Sequence, residues 1–401
     1  MKSWPYSRLP ILLLGLSGCG PQESLDSSPA DVQDTLGCRA QPLAENRDRL
    51  VLVQTPYDQD AAASTSWQAL LLDESGTLDT LERPFELGRA PRGNAVFTPD
   101  ASMAFVAQED GSIGILSFDE NHEITVENPA FGGEFYASRL TVDPSGEVLW
   151  IVDPNWPENG GGIYRSEIDC SANTLSTPEK IFSSKNASSL ILLPMDDPEK
   201  REAILIGREA AGSSSSSEAV LVDLLAPDAP AVEGELFGDE EAIASDAVHL
   251  AGTDFTLVAD FAAFSSAPNR VAVVDHSATS LRTLQVLEPL LDPVDLVASA
   301  FGDQVLVLSG YGDAIIPLVI QDSDTAPFAI GPEPTTVNGS PQLPTAADQV
   351  AVGDLKGLVL VSENQGIRLL QLGEQASIEE VGFFSIGESF KGIAGAIGIA
   401  P

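Results

Sequence analysis

Apolar residues in this chain come in short runs of four to seven, each broken by a Pro, Asp, Gly or Ser turn. The clearest stretch lies between Gly93 and Glu127, where Asn94-Ala-Val-Phe97, Ser102-Met-Ala-Phe-Val-Ala-Gln108, Ser112-Ile-Gly-Ile-Leu-Ser-Phe118 and Glu123-Ile-Thr-Val126 alternate with Thr98-Pro-Asp-Ala101 and Glu109-Asp-Gly111 turns. Runs of this length bounded by turn residues predict β-strands. Four such strands in a unit that recurs about every 40 to 50 residues predict one blade of a β-propeller.

The same reading continues along the chain. After the blade just described come units beginning at Arg139-Leu-Thr-Val142, Ser189-Leu-Ile-Leu-Leu193, Asp246-Ala-Val-His-Leu250, Asp295-Leu-Val-Ala298 and, beyond a Pro-rich connection from Gly331 to Thr345, Gln349-Val-Ala-Val352. The unit before them supplies Arg49 to Gln54, Trp67 to Leu72 and Leu81 to Leu87 but lacks an opening strand. Lys391 to Pro401 resembles the opening strand at Arg92 to Pro99, with nothing after it. The expected fold is all-β, a propeller of about seven four-stranded blades whose C-terminal strand pairs into the first blade and closes the ring, which removes an exposed edge.

Two blades carry a family-like repeat. Val96-Phe-Thr-Pro-Asp100 with Phe105-Val-Ala107, and Val142-Asp-Pro-Ser-Gly146 with Leu149-Trp-Ile-Val152, resemble the repeat of the YVTN/lactonase-like seven-bladed propellers. The resemblance implies that fold over about residues 45 to 401. It leaves activity open, since the family includes lactone hydrolases, binding domains and envelope proteins without assigned activity.

Charge narrows the partners. Sixty acidic residues against 20 basic ones give a formal charge of -40, which argues against nucleic acid or an anionic surface as a partner bound through charge. The N-terminus brings in a membrane by another route. Lys2 and Arg8 precede the apolar run Leu9 to Leu16, too short to span a bilayer, and the run ends at Leu16-Ser17-Gly18-Cys19. This tetrad resembles a bacterial lipobox. The resemblance implies a signal peptide over 1–18, cleavage before Cys19, acylation of Cys19 by palmitate-type chains and, with Gly20 in place of aspartate, an outer-membrane lipoprotein. Residues 19–37 read as an acidic tether with too few apolar groups to fold, leaving 38–401 as the propeller.

With Cys19 acylated, Cys38 and Cys170 remain as a pair in an oxidising compartment. They are candidates for a disulfide, the alternative being two buried thiols.

Two sets of residues could carry function. Loops between second and third strands bring Tyr57, Asp58, Asp60, Trp156, Glu158, Phe261, Phe264 and Tyr311 to one face, where aromatic and acidic groups suit a partner or ligand as well as simple capping of blade ends. Alignment of the opening strands puts Asn94, Arg139, Ser189, Asp246, Asp295 and Gln349 in a polar ring at the channel mouth. Asp246 and Asp295 could there hold a hard cation such as calcium, against which Arg139 works.

Catalytic motifs are otherwise missing. There is no G-x-S-x-G, P-loop or EF-hand spacing, and His122, His249 and His276 have no metal-ligand spacing to one another. The sequence thus favours a non-catalytic envelope lipoprotein that binds a protein or small ligand, with a calcium-dependent lactonase-like hydrolase as the alternative. Outer-membrane assembly lipoproteins are also anchored propellers of similar length, but their tryptophan-bearing blade repeat is absent.

Overall fold

A computed structural model describes residues 38, 47–54, 66–81, 85–87, 91–108, 111–119, 122–127, 129, 137–154, 161–184, 187–194, 200–208, 217–229, 231–237, 244–260, 269–276, 281–288, 290–364, 366–386 and 395–401. All of them belong to one compact unit, Gly37–Pro401. Residues 1–36, which include the expected signal peptide, Cys19 and most of the expected tether, lie outside the described residues.

The described strands form seven antiparallel sheets, the blades of a propeller, with a single 3-10 turn at Glu374–Ala376. Blade 2 runs outward through Pro91–Phe97, Met103–Gln108, Ile113–Phe118 and Ile124–Glu127. The innermost strands of blades 3 to 7 are Arg139–Val142, Ser189–Leu192, Ala244–His249, Pro293–Ala298 and Ala346–Gln349. Blade 1 takes its innermost strand from the other end of the chain: Ile397–Ile399 pairs with Arg49–Gln54, setting Val51 opposite Ile399 and Val53 opposite Ile397.

Why the second strands read as unbroken apolar runs is plain from their surroundings. In Met103–Gln108, Met103, Phe105 and Ala107 face blade 3, while Ala104 and Val106 face blade 1. Both faces of each blade are covered by its neighbours. Seven apolar clusters result, one at every junction between blades, including that between blades 7 and 1. The outermost strands have one open side and show it: Ile124–Glu127 and Val232–Glu235 alternate half-buried and exposed positions.

Three boundaries differ from the sequence reading. The fourth strand of blade 1, expected over Leu81 to Leu87, is two short pieces, Leu78–Thr80 and Phe85–Glu86, both paired with Ser66–Leu72. Blade 3 carries an extra hairpin strand, Thr174–Leu175, ahead of Glu179–Ser183. The innermost strand of blade 7 lies at Ala346–Gln349 rather than Gln349 to Val352. The valines there had suggested a strand, but Val350 caps the turn through hydrogen bonds with Leu358 and Gly357, and Val352 is exposed.

Two covalent or ionic fastenings stand out. Cys38 and Cys170 are joined in a disulfide with Cα atoms 5.6 Å apart, tying the start of the domain to the turn that follows Gly162–Asp169 in blade 3. Residue 38 sits so close to the first turn of blade 3 that a Cβ on Gly146, whose φ is +72°, would lie 1.9 Å from the Cys38 carbonyl oxygen. Only glycine fits there. In blade 7 the fully buried Arg368 is paired with both Glu363 and Glu380. The same two carboxylates accept from the connection that leads into the blade: Glu380 from Val337 N at 3.0 Å and Asn338 Nδ2 at 2.6 Å, Glu363 from Gln342 N at 3.1 Å.

Candidate functional site

Where the innermost strands converge they enclose a cavity of about 330 Å³. Asn94, Arg139, Ser189, Asp246, Asp295 and Gln349 all line it, contributed by blades 2 to 7 in turn, together with Thr141 and Asp348. Innermost strands expose one edge to the axis, so a polar residue in such a strand reaches the channel while its apolar neighbours face the adjoining blades. Asp348 entered the ring because the blade 7 strand begins earlier than its valines suggested.

The carboxylates stitch blade to blade. Asp246 Oδ2 accepts from Leu296 N of blade 6 at 2.9 Å, Asp295 Oδ2 from Ala347 N of blade 7 at 2.7 Å, and Asp348 Oδ2 from Ile399 N of the closing strand at 2.7 Å. Elsewhere amides serve: Asn94 accepts from Ile397 N at 3.3 Å and donates to Ala347 O at 3.2 Å, and Gln349 bridges back to Ala298 O and Ala300 N of blade 6.

Asp246 and Asp295 also interact with each other. Burial, followed by the charge of Asp246 and a hydrogen bond between the two carboxyls, raises the Asp295 pKa well above the ordinary carboxylate range, while Arg139 opposes the shift. Like charges held close in a poorly solvated site favour the protonated form of Asp295. Arg139 Nη2 lies 3.4 Å from Asp246 Oδ1. Its path is set by Gly93, where φ is +72° and a Cβ would come within 3.0 Å of Arg139 Cδ.

This donor set suits calcium poorly. Calcium takes six to eight oxygens, several of them anionic, whereas here burial and the neighbouring Asp246 disfavour the charged form of Asp295, Asp246 faces a guanidinium, and each gives an oxygen to a backbone N–H. Among the described residues no three His, Cys, Asp or Glu side chains cluster as metal ligands do.

Asp348 makes a separate prediction. Burial raises its pKa to about 6, against the pull of hydrogen bonds from Ile399 N and Gln349 N. A carboxyl that holds its proton more tightly folded than unfolded lends stability that is full below about pH 4 and lost as pH rises through about 6. The span is on the order of 3 kcal/mol. Asp348→Asn is expected to remove this dependence. Its melting temperature relative to wild type should climb by a few degrees between pH 4 and pH 7; an offset constant with pH would contradict the assignment.

Of the loop-face candidates, Tyr57, Asp58, Asp60, Trp156, Glu158, Phe261 and Phe264 lie outside the described residues. Tyr311 is described and is 73% exposed, with its backbone N–H held by Asp292 Oδ2 at 2.8 Å. Beside it Leu291 is also exposed. One contact escaped the sequence reading: His249 Nδ1 and His276 Nε2 are 3.3 Å apart at the far end of blade 5. Strand register was the signal that could have found it, since His249 pairs with Thr256 and Thr256 with Val274.

No family model and no curated protein sequence matches the chain. Solved structures do, at low identity. A periplasmic gluconolactonase of Pseudomonas aeruginosa superposes with a TM-score of 0.63 at 14% identity, covering 88% of this chain and 99% of that one. A Bacteroides uniformis protein described as a candidate 6-phosphogluconolactonase gives 0.59 at 12% identity over 88% and 100%. A Desulfotomaculum acetoxidans protein of unknown function gives 0.55 at 12% over 88% and 98%. At these identities the likeness establishes the seven-bladed fold.

Proposed function

We propose that this propeller is a lactonase-like hydrolase that opens cyclic esters of polyhydroxy acids in its channel cavity. The observation that carries the reading is the adjacent Asp246 and Asp295 carboxyls lining the cavity, with Arg139 beside them. The names of two structural neighbours support it. Asp246, as carboxylate, takes a proton from water while the water oxygen attacks the lactone carbonyl carbon. Arg139 balances the charge that develops on the carbonyl oxygen. Asp295 gives its proton to the ring oxygen as the carbon–oxygen bond breaks, and the proton gained by Asp246 restores the pair. The scheme calls for no metal at the pair. The disulfide suits an oxidising compartment, in keeping with a protein anchored in the envelope through Cys19.

The test is hydrolysis of five- and six-membered sugar-acid lactones followed by acid release. Asp246→Asn and Asp295→Asn, which keep an acceptor for the stitched N–H groups, are each expected to lower kcat at least 100-fold. Failure of the wild type to open any of these lactones faster than buffer overturns the reading. A second, non-catalytic reading is favoured by the stitching itself, because the same carboxylates already have a structural task. Under it the propeller binds an envelope protein or small ligand through the loop face around Tyr311, and both asparagine variants leave capture intact.

A further inference from the structure

We propose that His249 and His276 form a binding site for a borderline divalent transition metal such as Zn²⁺, Ni²⁺ or Cu²⁺ at the end of blade 5, apart from the channel cavity. His249 closes the innermost strand Ala244–His249 and His276 follows Arg270–Asp275, the third strand of the same blade. Antiparallel pairing of both with Phe255–Asp260 brings their rings to the same end.

The geometry fits two ligands of one ion as well as a hydrogen-bonded pair. A tetrahedral ion with bonds of about 2.05 Å to nitrogen sets its ligands about 3.3 to 3.4 Å apart, and His249 Nδ1 and His276 Nε2 are separated by 3.3 Å. Ring position makes a second, independent match. Two imidazoles aimed straight at each other across this gap would have centroids about 5.6 Å apart, whereas two aimed at one shared ion have centroids about 5.2 Å apart. The observed separation is 5.2 Å.

A third atom points the same way. The Phe255 carbonyl oxygen stands 3.2 Å from the same His249 Nδ1. Two acceptors thus converge on one ring nitrogen, and a single proton there serves only one of them well. A bound cation would take both ring nitrogens as ligands, and the carbonyl oxygen, which already accepts from Leu250 N at 3.0 Å, has a second lone pair to offer it. Asp254 and Asp275 add negative potential near His276. The ligand types, imidazole with a carbonyl oxygen, select zinc, nickel and copper over calcium or magnesium. With only two side-chain ligands the remaining positions go to water, so binding in the micromolar range is expected rather than the tighter hold of a closed structural site.

The experiment is calorimetric titration of the full chain, without a histidine tag, with Zn²⁺ and separately with Cu²⁺, followed by electron paramagnetic resonance of the copper form. The expected result is one site per chain with a spectrum of nitrogen ligation. His249→Gln and His276→Gln should each weaken it at least tenfold, while His122→Gln, on another blade, leaves it unchanged. Circular dichroism of the variants checks that they fold. Absence of binding to the wild type, or equal binding by a folded His249→Gln/His276→Gln double variant, overturns the proposal.

Discussion

Arg368→Met is expected to destabilise the protein by about 3 to 5 kcal/mol, the largest loss from any single side chain considered. Arg368, Glu363 and Glu380 are each almost wholly inaccessible, so removing the cation leaves two carboxylates buried with no countercharge. Burial works against the charge on Arg368, yet hydrogen bonds and charge from Glu363 and Glu380 outweigh it and raise its pKa. Damage should spread beyond the ion cluster, because Arg368 Nη2 also holds Ser340 O at 3.3 Å and the glutamates hold Val337, Asn338 and Gln342. The connection between blades 6 and 7 should become protease-sensitive. Adding Glu363→Gln and Glu380→Gln removes the stranded charges while keeping acceptors for the backbone, and is expected to restore much of the loss. Chemical denaturation of the single and triple variants measures both effects. A triple variant no better than Arg368→Met would show that the guanidinium acts through shape and packing rather than charge.

Ending the chain at Ala394 should be worse still. Ile397 and Ile399 are buried in the cluster between blades 7 and 1, and each such side chain is worth about 1.5 to 3 kcal/mol. Backbone bonds from Gln54 N to Ala396 O and from Ala400 N to Leu50 O, both 2.8 Å, go with them. The Asp348 carboxylate loses Ile399 N, and Asn94 loses Ile397 N. Such a sum is comparable with the whole stability of a typical domain, 5 to 15 kcal/mol. The truncated chain is expected to expose the edge of Arg49–Gln54 and associate through it. A synthetic peptide spanning the missing strand should return it to a monomer in size-exclusion chromatography. A monomeric truncated chain with an unchanged melting temperature would contradict this account of ring closure.

What could be seen in the sequence follows from burial. Second strands such as Met103–Gln108 and Gln304–Ser309 are covered on both faces, so their apolar runs are continuous and their positions were readable to within a residue. The closing strand was readable because the first unit lacked a partner that the last residues could supply. The polar ring was readable because a polar residue interrupts each short innermost strand at nearly the same place. Elsewhere the signal failed for local reasons. Val350 and Val352 drew the blade 7 strand toward a turn, so Asp348 went unnoticed. Leu81 and Leu87 suggested one strand where the chain makes two short pieces. The histidine pair depends on two strand registers at once, and 27 residues separate its members, so no spacing rule could have found it.

The stitched aspartates bear on how relatives of this protein should be judged. Asp246 and Asp295 each hold the N–H of a neighbouring blade, so a lineage that had given up all chemistry in the channel would still be selected to keep them. Their persistence among homologues would report ring geometry as much as activity. Arg139 is different: its recorded polar contact is with Asp246, and its side chain reaches the cavity without fastening one blade's backbone to another's. It is free to drift once nothing is turned over there. Under the proposed hydrolase reading, the arginine is therefore the position that would separate working descendants from retired ones, whereas Gly93, with a φ of +72°, is held by its backbone in either case.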